Sequence, residues 1–123
     1  DMEGSTILYC TNDSRRGELA GVDVVKVAAD GGSTDVAAVL ADLAKREINE
    51  LLVEAGPTVS RHLLSRRLVD ELVIYQAPHI MGSETLPMFN TPAWRALRDR
   101  LALDIVDLRR IGGDMRITAR IKE

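Results

Sequence analysis

The sequence has one cysteine in 123 residues, which rules out an internal disulfide and a cysteine-rich metal site and fits a reducing compartment. Cys10 stands in an apolar stretch and reads as core filler rather than as a nucleophile. No excess of one charge is present either: 16 Lys and Arg are scattered among 19 Asp and Glu, for a net charge of −3. Without a broad cationic field, nucleic acid is not an expected partner. No apolar run approaches the roughly 20 residues needed to cross a bilayer, and the opening Asp1-Met2-Glu3-Gly4 is not a signal peptide. The expectation is a cytoplasmic protein that does not engage membranes. Repeats, low-complexity tracts and linkers are also missing. What is there is ordinary for a globular chain, 46% hydrophobic and 28% charged. Its length is one domain's worth, enough to bury roughly 65–70% of its unfolded surface, so residues 1–123 are read as a single domain.

The stretch that carries the functional reading is Glu50-Leu51-Leu52-Val53-Glu54-Ala55-Gly56-Pro57-Thr58-Val59-Ser60. Leu51 to Val53 form a short continuous apolar run, the pattern of a strand covered on both faces in a parallel α/β sheet. Glu54 ends the run, where such a strand emerges from the core. Gly56 permits a turn that a side chain would obstruct, and Pro57 suits the first helical position. The N–H groups of Thr58, Val59 and Ser60 then point back along the helix axis. A helix start of this kind binds anions, because free amides and the positive end of the dipole converge there. In an open α/β sheet the ligand crevice lies outside the carboxyl ends of the strands, so a nucleotide belongs at this turn. An ordinary strand-to-helix connection with a carboxylate at its rim has the same local pattern.

Around that stretch the chain reads in order. Thr6 to Cys10 and Asp23 to Ala28 are short strands by their β-branched content. Arg15 and Arg16, just past the first, can hold a phosphate or simply occupy a solvated loop. Asp30-Gly31-Gly32-Ser33 is a loop without a phosphate-binding fingerprint. From Asp35 the period changes, with Val36, Val39, Leu40, Leu43 and Ala44 at helical spacing. Ser33 or Thr34 can cap this helix, Asp35 favours its positive end, and Lys45 and Arg46 its negative end. A second helix is expected over Pro57 to Arg66, with Val59, Leu63 and Leu64 toward the sheet and His62 on the surface. Leu68 to Pro78 is a strand entered through Asp70-Glu71, adjacent carboxylates that point to opposite faces and so do not share a site. Pro78 to Ser83 is a loop at the mouth of a pocket, and a short helix is expected over Trp94 to Arg98. Leu103 to Arg110 and Met115 to Lys122 alternate as paired strands, with Gly112-Gly113-Asp114 as the turn.

Four of these segments, in this order, resemble a known family. Ile48 to Thr58, Leu68-Val69-Asp70-Glu71-Leu72, Ala77-Pro78 leading to Gly82, and Gly112 with Asp114 are together similar to the reductase domain of the bifunctional riboflavin-biosynthesis deaminase/reductase. The resemblance implies a dihydrofolate-reductase-like α/β fold, a sheet flanked by helices. It also implies reduction of 5-amino-6-(5-phosphoribosylamino)uracil to the ribitylamino compound with NADPH, in a protein that forms a homodimer. By the same resemblance Glu54 contacts the substrate, and Gly56, Pro57, Thr58, Val59, Ser60, Arg61 and His62 contact NADPH. No residue of the chain is assigned as the catalytic group and no metal is expected, since NADPH brings the hydride chemistry and the protein supplies positioning.

The family's reductase domain is considerably longer, and its first part has no counterpart before Asp1, so the chain is expected to be the C-terminal portion of that domain. A deaminase domain is expected elsewhere in the parent chain. Zinc deamination needs a His-x-Glu and a Pro-Cys-x-x-Cys element, which one cysteine cannot supply. Two other readings stay open: a non-catalytic assembly fragment, and a dihydrofolate-reductase-like NADPH enzyme for another pyrimidine or a pterin.

Overall fold

The computed structural model describes residues 4–12, 19–91, 95–96 and 99–122. The chain divides into two compact units, Asp1–Val53 and Glu54–Glu123, each described by itself. In the first unit, β1 (Thr6–Thr11) pairs in parallel with β2 (Val22–Val27), from Thr6 opposite Val22 to Thr11 opposite Val27. Both strands were expected, and each buries one residue, Cys10 in β1 and Val27 in β2. The Asp30 to Ser33 segment is tighter than the expected loop. It is a two-residue hairpin turn joining β3 (Ala29–Asp30) to β4 (Ser33–Thr34). Gly31 and Gly32 both take positive φ there, 57° and 84°, as a primed turn between twisted strands requires.

Helix α1 (Val36–Lys45) follows the apolar spacing. Its cap is neither Ser33 nor Thr34, because both are committed to β4. The Asp35 carboxylate caps it instead, accepting the Ala37 N–H at 3.0 Å. The helix is held to the strands by polar side chains more than by burial. Tyr9 Oη donates to Asp42 Oδ2 at 2.8 Å, while Arg46 donates to Asp42 at 2.7 Å and to Asp23 at 2.6 Å. One guanidinium thus joins α1 to β2, and one carboxylate joins α1 to β1.

The Tyr9 hydroxyl, and then the Arg46 guanidinium, hold the Asp42 carboxyl below its ordinary range. A depressed carboxylate contributes stability that is full above the unfolded value near 4 and is lost as pH falls through the lower folded value. Tyr9→Phe is therefore expected to lower the melting temperature at pH 7 by more than it does at pH 3, where Asp42 is increasingly protonated. Melting curves followed by circular dichroism at the two pH values check this. An equal gap at both would remove Asp42 as the cause.

In the second unit, α2 (Pro57–Ser65) is followed by β5 (Leu72–Gln76), β6 (Leu103–Ile111) and β7 (Asp114–Ile121). The strands form one antiparallel sheet in the order β5-β7-β6. The turn between β6 and β7 is Gly112-Gly113, with Gly112 at φ 60°. Ile111 lies opposite Asp114, so Asp114 is the first residue of β7 rather than part of the turn. Leu63 and Leu64 of α2 are buried as expected, together with Ala119 of β7. Val59 is not, at 43% exposed.

Both helices end the same way. Glu47 N–H bonds to Ala44 O and Ile48 N–H to Leu43 O after α1, and Arg67 N–H bonds to Leu64 O and Leu68 N–H to Leu63 O after α2. These are Schellman ends, with Leu43 and Ile48, and Leu63 and Leu68, at the two positions where an apolar pair commonly accompanies the motif. The residue each end holds in the left-handed region is not glycine but Glu47, φ 64°, and Arg67, φ 54°. A side chain in that region costs about 1–2 kcal/mol, part of which glycine gives back by loosening the unfolded chain. Glu47→Gly and Arg67→Gly are each expected to stabilise by roughly 0.5–1 kcal/mol, a rise of a few degrees in melting temperature. A fall in either variant would show that the native side chain makes compensating contacts.

Three expectations are corrected or fall outside the described residues. Residues 48–56 contain no strand, and Leu51, Leu52 and Val53 are exposed, Leu52 by 80%. An apolar run becomes a covered strand only when other strands pair with it, and among the described residues none does. The strand expected from Leu68 begins at Leu72, after the exposed Asp70-Glu71 pair. Arg15, Arg16 and Trp94 lie outside the described residues, and of the short helix expected over Trp94 to Arg98 only Arg95 and Ala96 are described, neither of them helical. No helix among the described residues is long and apolar enough to cross a membrane.

Candidate functional site

The candidate site is the entry into α2. Gly56 is the N-cap at φ −72°, ψ 175°, and Pro57 takes the first helical position, as the sequence indicates. That backbone conformation suits a residue before proline and is open to any amino acid. A Cβ built on Gly56 would meet nothing within 4 Å. The expectation that the turn itself demands glycine is therefore corrected. The fold does not need Gly56, and the space in front of it is open.

No side chain caps α2. Pro57 has no N–H, and the first intrahelical bond runs from Ser60 N–H to Gly56 O at 3.2 Å. Ser60 was expected to offer a free amide and does not. The outward-pointing donors are the amides of Thr58 and Val59, which precede any intrahelical acceptor. The Ser60 hydroxyl reaches back to Ala55 O at 3.5 Å, at the outer limit of a hydrogen bond. Asn90 N–H approaches Pro57 O at 3.4 Å, which brings the connection ahead of β6 beside the first turn.

Glu54, Gly56, Thr58, Val59 and Arg61 are exposed, and Pro57, Ser60 and His62 are half-buried. The structure thus gathers Glu54 through Ser60 at one helix start, with Arg61 and His62 on the turn that follows. His62 lies on the helix side as expected, and its carbonyl accepts the Ser65 hydroxyl at 3.3 Å. Chemically the arrangement offers two amides and the positive end of a dipole to an anion, with a carboxylate three residues before the first helical turn. Among the described residues no group of three or more His, Cys, Asp or Glu is placed to hold a metal ion.

Two hollows of this unit lie elsewhere. One of about 500 Å³ is lined by Arg67, Asp70, Glu71, Arg120 and Lys122 at the opposite end of α2, where Arg120 and Glu71 stand 3.7 Å apart. Another, of about 220 Å³, is apolar, between Leu64, Leu72, Phe89 and Leu103. Neither includes Glu54 or the α2 start. Sequence reasoning passed over two polar groups in β7: Arg116 Nε and Thr118 Oγ1 are buried without a hydrogen-bond partner among the described residues. Burial of a polar group at one sheet position leaves no mark in the local pattern of residue types.

Residues 1–117 match the RibD C-terminal domain. The chain belongs to that family. It is 31% identical over 112 residues to the riboflavin biosynthesis protein RibD of Escherichia coli K12, covering 91% of this chain and 30% of that protein. It is 37% identical over 75 residues to the 5-amino-6-(5-phosphoribosylamino)uracil reductase of Buchnera aphidicola subsp. Acyrthosiphon pisum, covering 61% of this chain and 36% of that protein. Among solved structures, RibD of Acinetobacter baumannii superposes with a TM-score of 0.74 at 25% identity, over 83% of this chain and 27% of that one. The resemblance read from Ile48 to Thr58 and its companion segments is thereby established at the level of family. The dihydrofolate-reductase-like α/β fold expected from it is the fold shared with that structure. The chain spans about a third of the length of its E. coli and B. aphidicola relatives.

Proposed function

We propose that these 123 residues are the C-terminal portion of one reductase domain. In its parent protein that domain reduces 5-amino-6-(5-phosphoribosylamino)uracil to 5-amino-6-(5-phosphoribitylamino)uracil with NADPH in the cytoplasm. The observation that carries this reading is the RibD family match running through an uncapped helix start that nothing in the chain requires to be open. In the reaction a hydride is added to C1 of the ribose, the bond from C1 to the ring oxygen breaks, and that oxygen takes a proton. NADPH, when bound, supplies the hydride.

The chain's own residues bind and orient. The Thr58 and Val59 amides meet the pyrophosphate, and Gly56 lets it approach the backbone. Arg61 adds a cation on the turn that follows. Glu54 at the rim orients a ribose hydroxyl or stabilises positive charge as it develops at C1. The parent protein carries the deaminase domain and works as a homodimer.

The exposed Leu51 to Val53 run favours one refinement: the site is completed only within the longer protein. Calorimetric titration of NADPH, with NADH as control, into this chain and into its full-length parent tests both. Saturable binding that prefers NADPH in the parent supports the reductase reading, and binding by the chain alone removes the refinement. A parent that binds neither nucleotide would overturn the reading.

A further inference from the structure

We propose that His79 is the proton donor of the reduction, the group that protonates the ribose ring oxygen as its bond to C1 breaks. This role rests on the reductase reading and adds to it the acid that the α2 start does not supply. In the role given to it Glu54 is ionised, and an ionised carboxylate accepts protons. The Arg61 guanidinium does not release its proton, and the hydroxyls of Thr58 and Ser60 are far weaker acids than an imidazolium. The chain has two histidines. His62 is half-buried on α2 and is not free. His79 is exposed, and among the described residues no hydrogen bond or ion pair holds its imidazole.

The fold brings His79 to the end of the unit where α2 begins. Leu64, near the end of α2, and Leu72, at the start of β5, line one apolar hollow, and the short connection 66–71 between the two elements turns the chain back. α2 is about 14 Å long and β5 about 17 Å, so β5 ends level with the first turn of α2. The segment after β5 returns to that turn, where Asn90 N–H approaches Pro57 O. His79 stands just beyond Gln76, the last residue of β5, and its backbone is fixed. His79 N–H bonds to Ala77 O at 2.8 Å, a γ-turn centred on Pro78, whose ring holds φ close to what an inverse γ-turn needs. Tyr75, another acid near the end of β5, lies opposite Arg116 on the face away from Leu72, because strand side chains alternate.

The same loop presents a surface for a ligand. Ile80 is 103% exposed, Met81 72%, Leu86 89% and Met88 56%, and large apolar side chains gathered in solvent mark a binding surface. Over a bound ribose, Ile80 and Met81 keep bulk water from the proton of the imidazolium. In the step itself the hydride adds at C1, and the bond from C1 to the ring oxygen breaks with its electron pair left on the oxygen. His79 gives its proton to that oxygen, becomes neutral, and takes a new proton from water. An imidazole suits this cycle because its ordinary range puts gain and loss of a proton near neutral pH. The other charged or titratable groups of this end are Glu84 in the loop and Glu54, Arg61 and His62 around the α2 start.

The test is steady-state reduction by the full-length parent, with calorimetry of NADPH binding and melting curves on the same preparations. His79→Gln should lower kcat by roughly 10²-fold, within the range for loss of a general acid. Its NADPH affinity should change by less than about twofold, and its melting temperature by less than about 1 °C, as His79 is exposed. Wild-type kcat should fall as pH rises through the range in which an imidazolium gives up its proton, and His79→Gln should lose that falling limb. His79→Lys should recover most of the rate and carry the limb to higher pH, since an ammonium holds its proton longer. A merely structural role would move neither limb. A wild-type parent that reduces the substrate while His79→Gln keeps its kcat and pH profile overturns the proposal and leaves the reductase reading standing. A His79→Lys profile identical to that of His79→Gln overturns it equally. A wild-type parent that binds no NADPH and reduces nothing overturns both.

Discussion

Gly56→Val in the full-length parent is expected to weaken NADPH binding by roughly 10–100-fold while folding stability changes by no more than about 1 kcal/mol. The two halves of this expectation rest on different observations. Stability is spared because Gly56 sits at φ −72°, ψ 175°, with no atom within 4 Å of where a Cβ would go. Valine is a poorer N-cap than glycine, but it also restricts the unfolded chain, and the two effects oppose each other. Binding suffers because two methyl groups would stand where a pyrophosphate must come to reach the Thr58 and Val59 amides. A hydrogen bond to a charged group is worth roughly 1.5–3 kcal/mol, and about 1.4 kcal/mol is a factor of ten in affinity. Titration calorimetry and a denaturant melt on the same preparation separate the halves. Unchanged affinity would mean the cofactor does not approach this backbone. A large loss of stability would mean the turn depends on glycine after all.

What could be read from residue order, and what could not, divides by the range of the interaction that decides each feature. The Gly112-Gly113 hairpin, the Pro57 helix start and the α1 stripe are settled by residues within a few positions of one another. All three elements appear where they were expected, although Asp114 belongs to β7 rather than to the turn and Ala44 of the α1 stripe is exposed. The Asp35 cap lies only one or two residues from the expected Ser33 or Thr34, because those are equally good caps and only the hairpin shows that they are taken. Leu51 to Val53 failed for a different reason. Three apolar residues specify a covered strand only if other strands arrive beside them, and pairing over long range is invisible in a local pattern. The site shows the same division. Glu54 to Ser60 was legible as a helix start that can bind an anion, while the engagement of the Ser60 amide and the open space before Gly56 emerge only in three dimensions. Family resemblance joined the distant segments that periodicity could not.

The second large effect is expected at Glu54. Glu54→Gln keeps the length and planarity of the side chain and removes its charge, so the change isolates electrostatics from packing. Glu54 is exposed and lies outside the helix, and its neutralisation should leave the melting temperature of the parent within about 1 °C, as surface substitutions rarely exceed about ±0.5 kcal/mol. Cofactor affinity should also be nearly unchanged, because the donors assigned to the pyrophosphate are the amides of Thr58 and Val59. If the carboxylate faces positive charge as it develops at the ribose C1, the loss falls on the transition state and kcat drops by roughly 10²–10³, the range for removing one preorganised polar group. If Glu54 only holds a ribose hydroxyl equally in the ground and transition states, KM rises and kcat stays. Steady-state kinetics of the parent at saturating NADPH distinguishes these outcomes. A variant with wild-type kcat and KM would take Glu54 out of the site altogether.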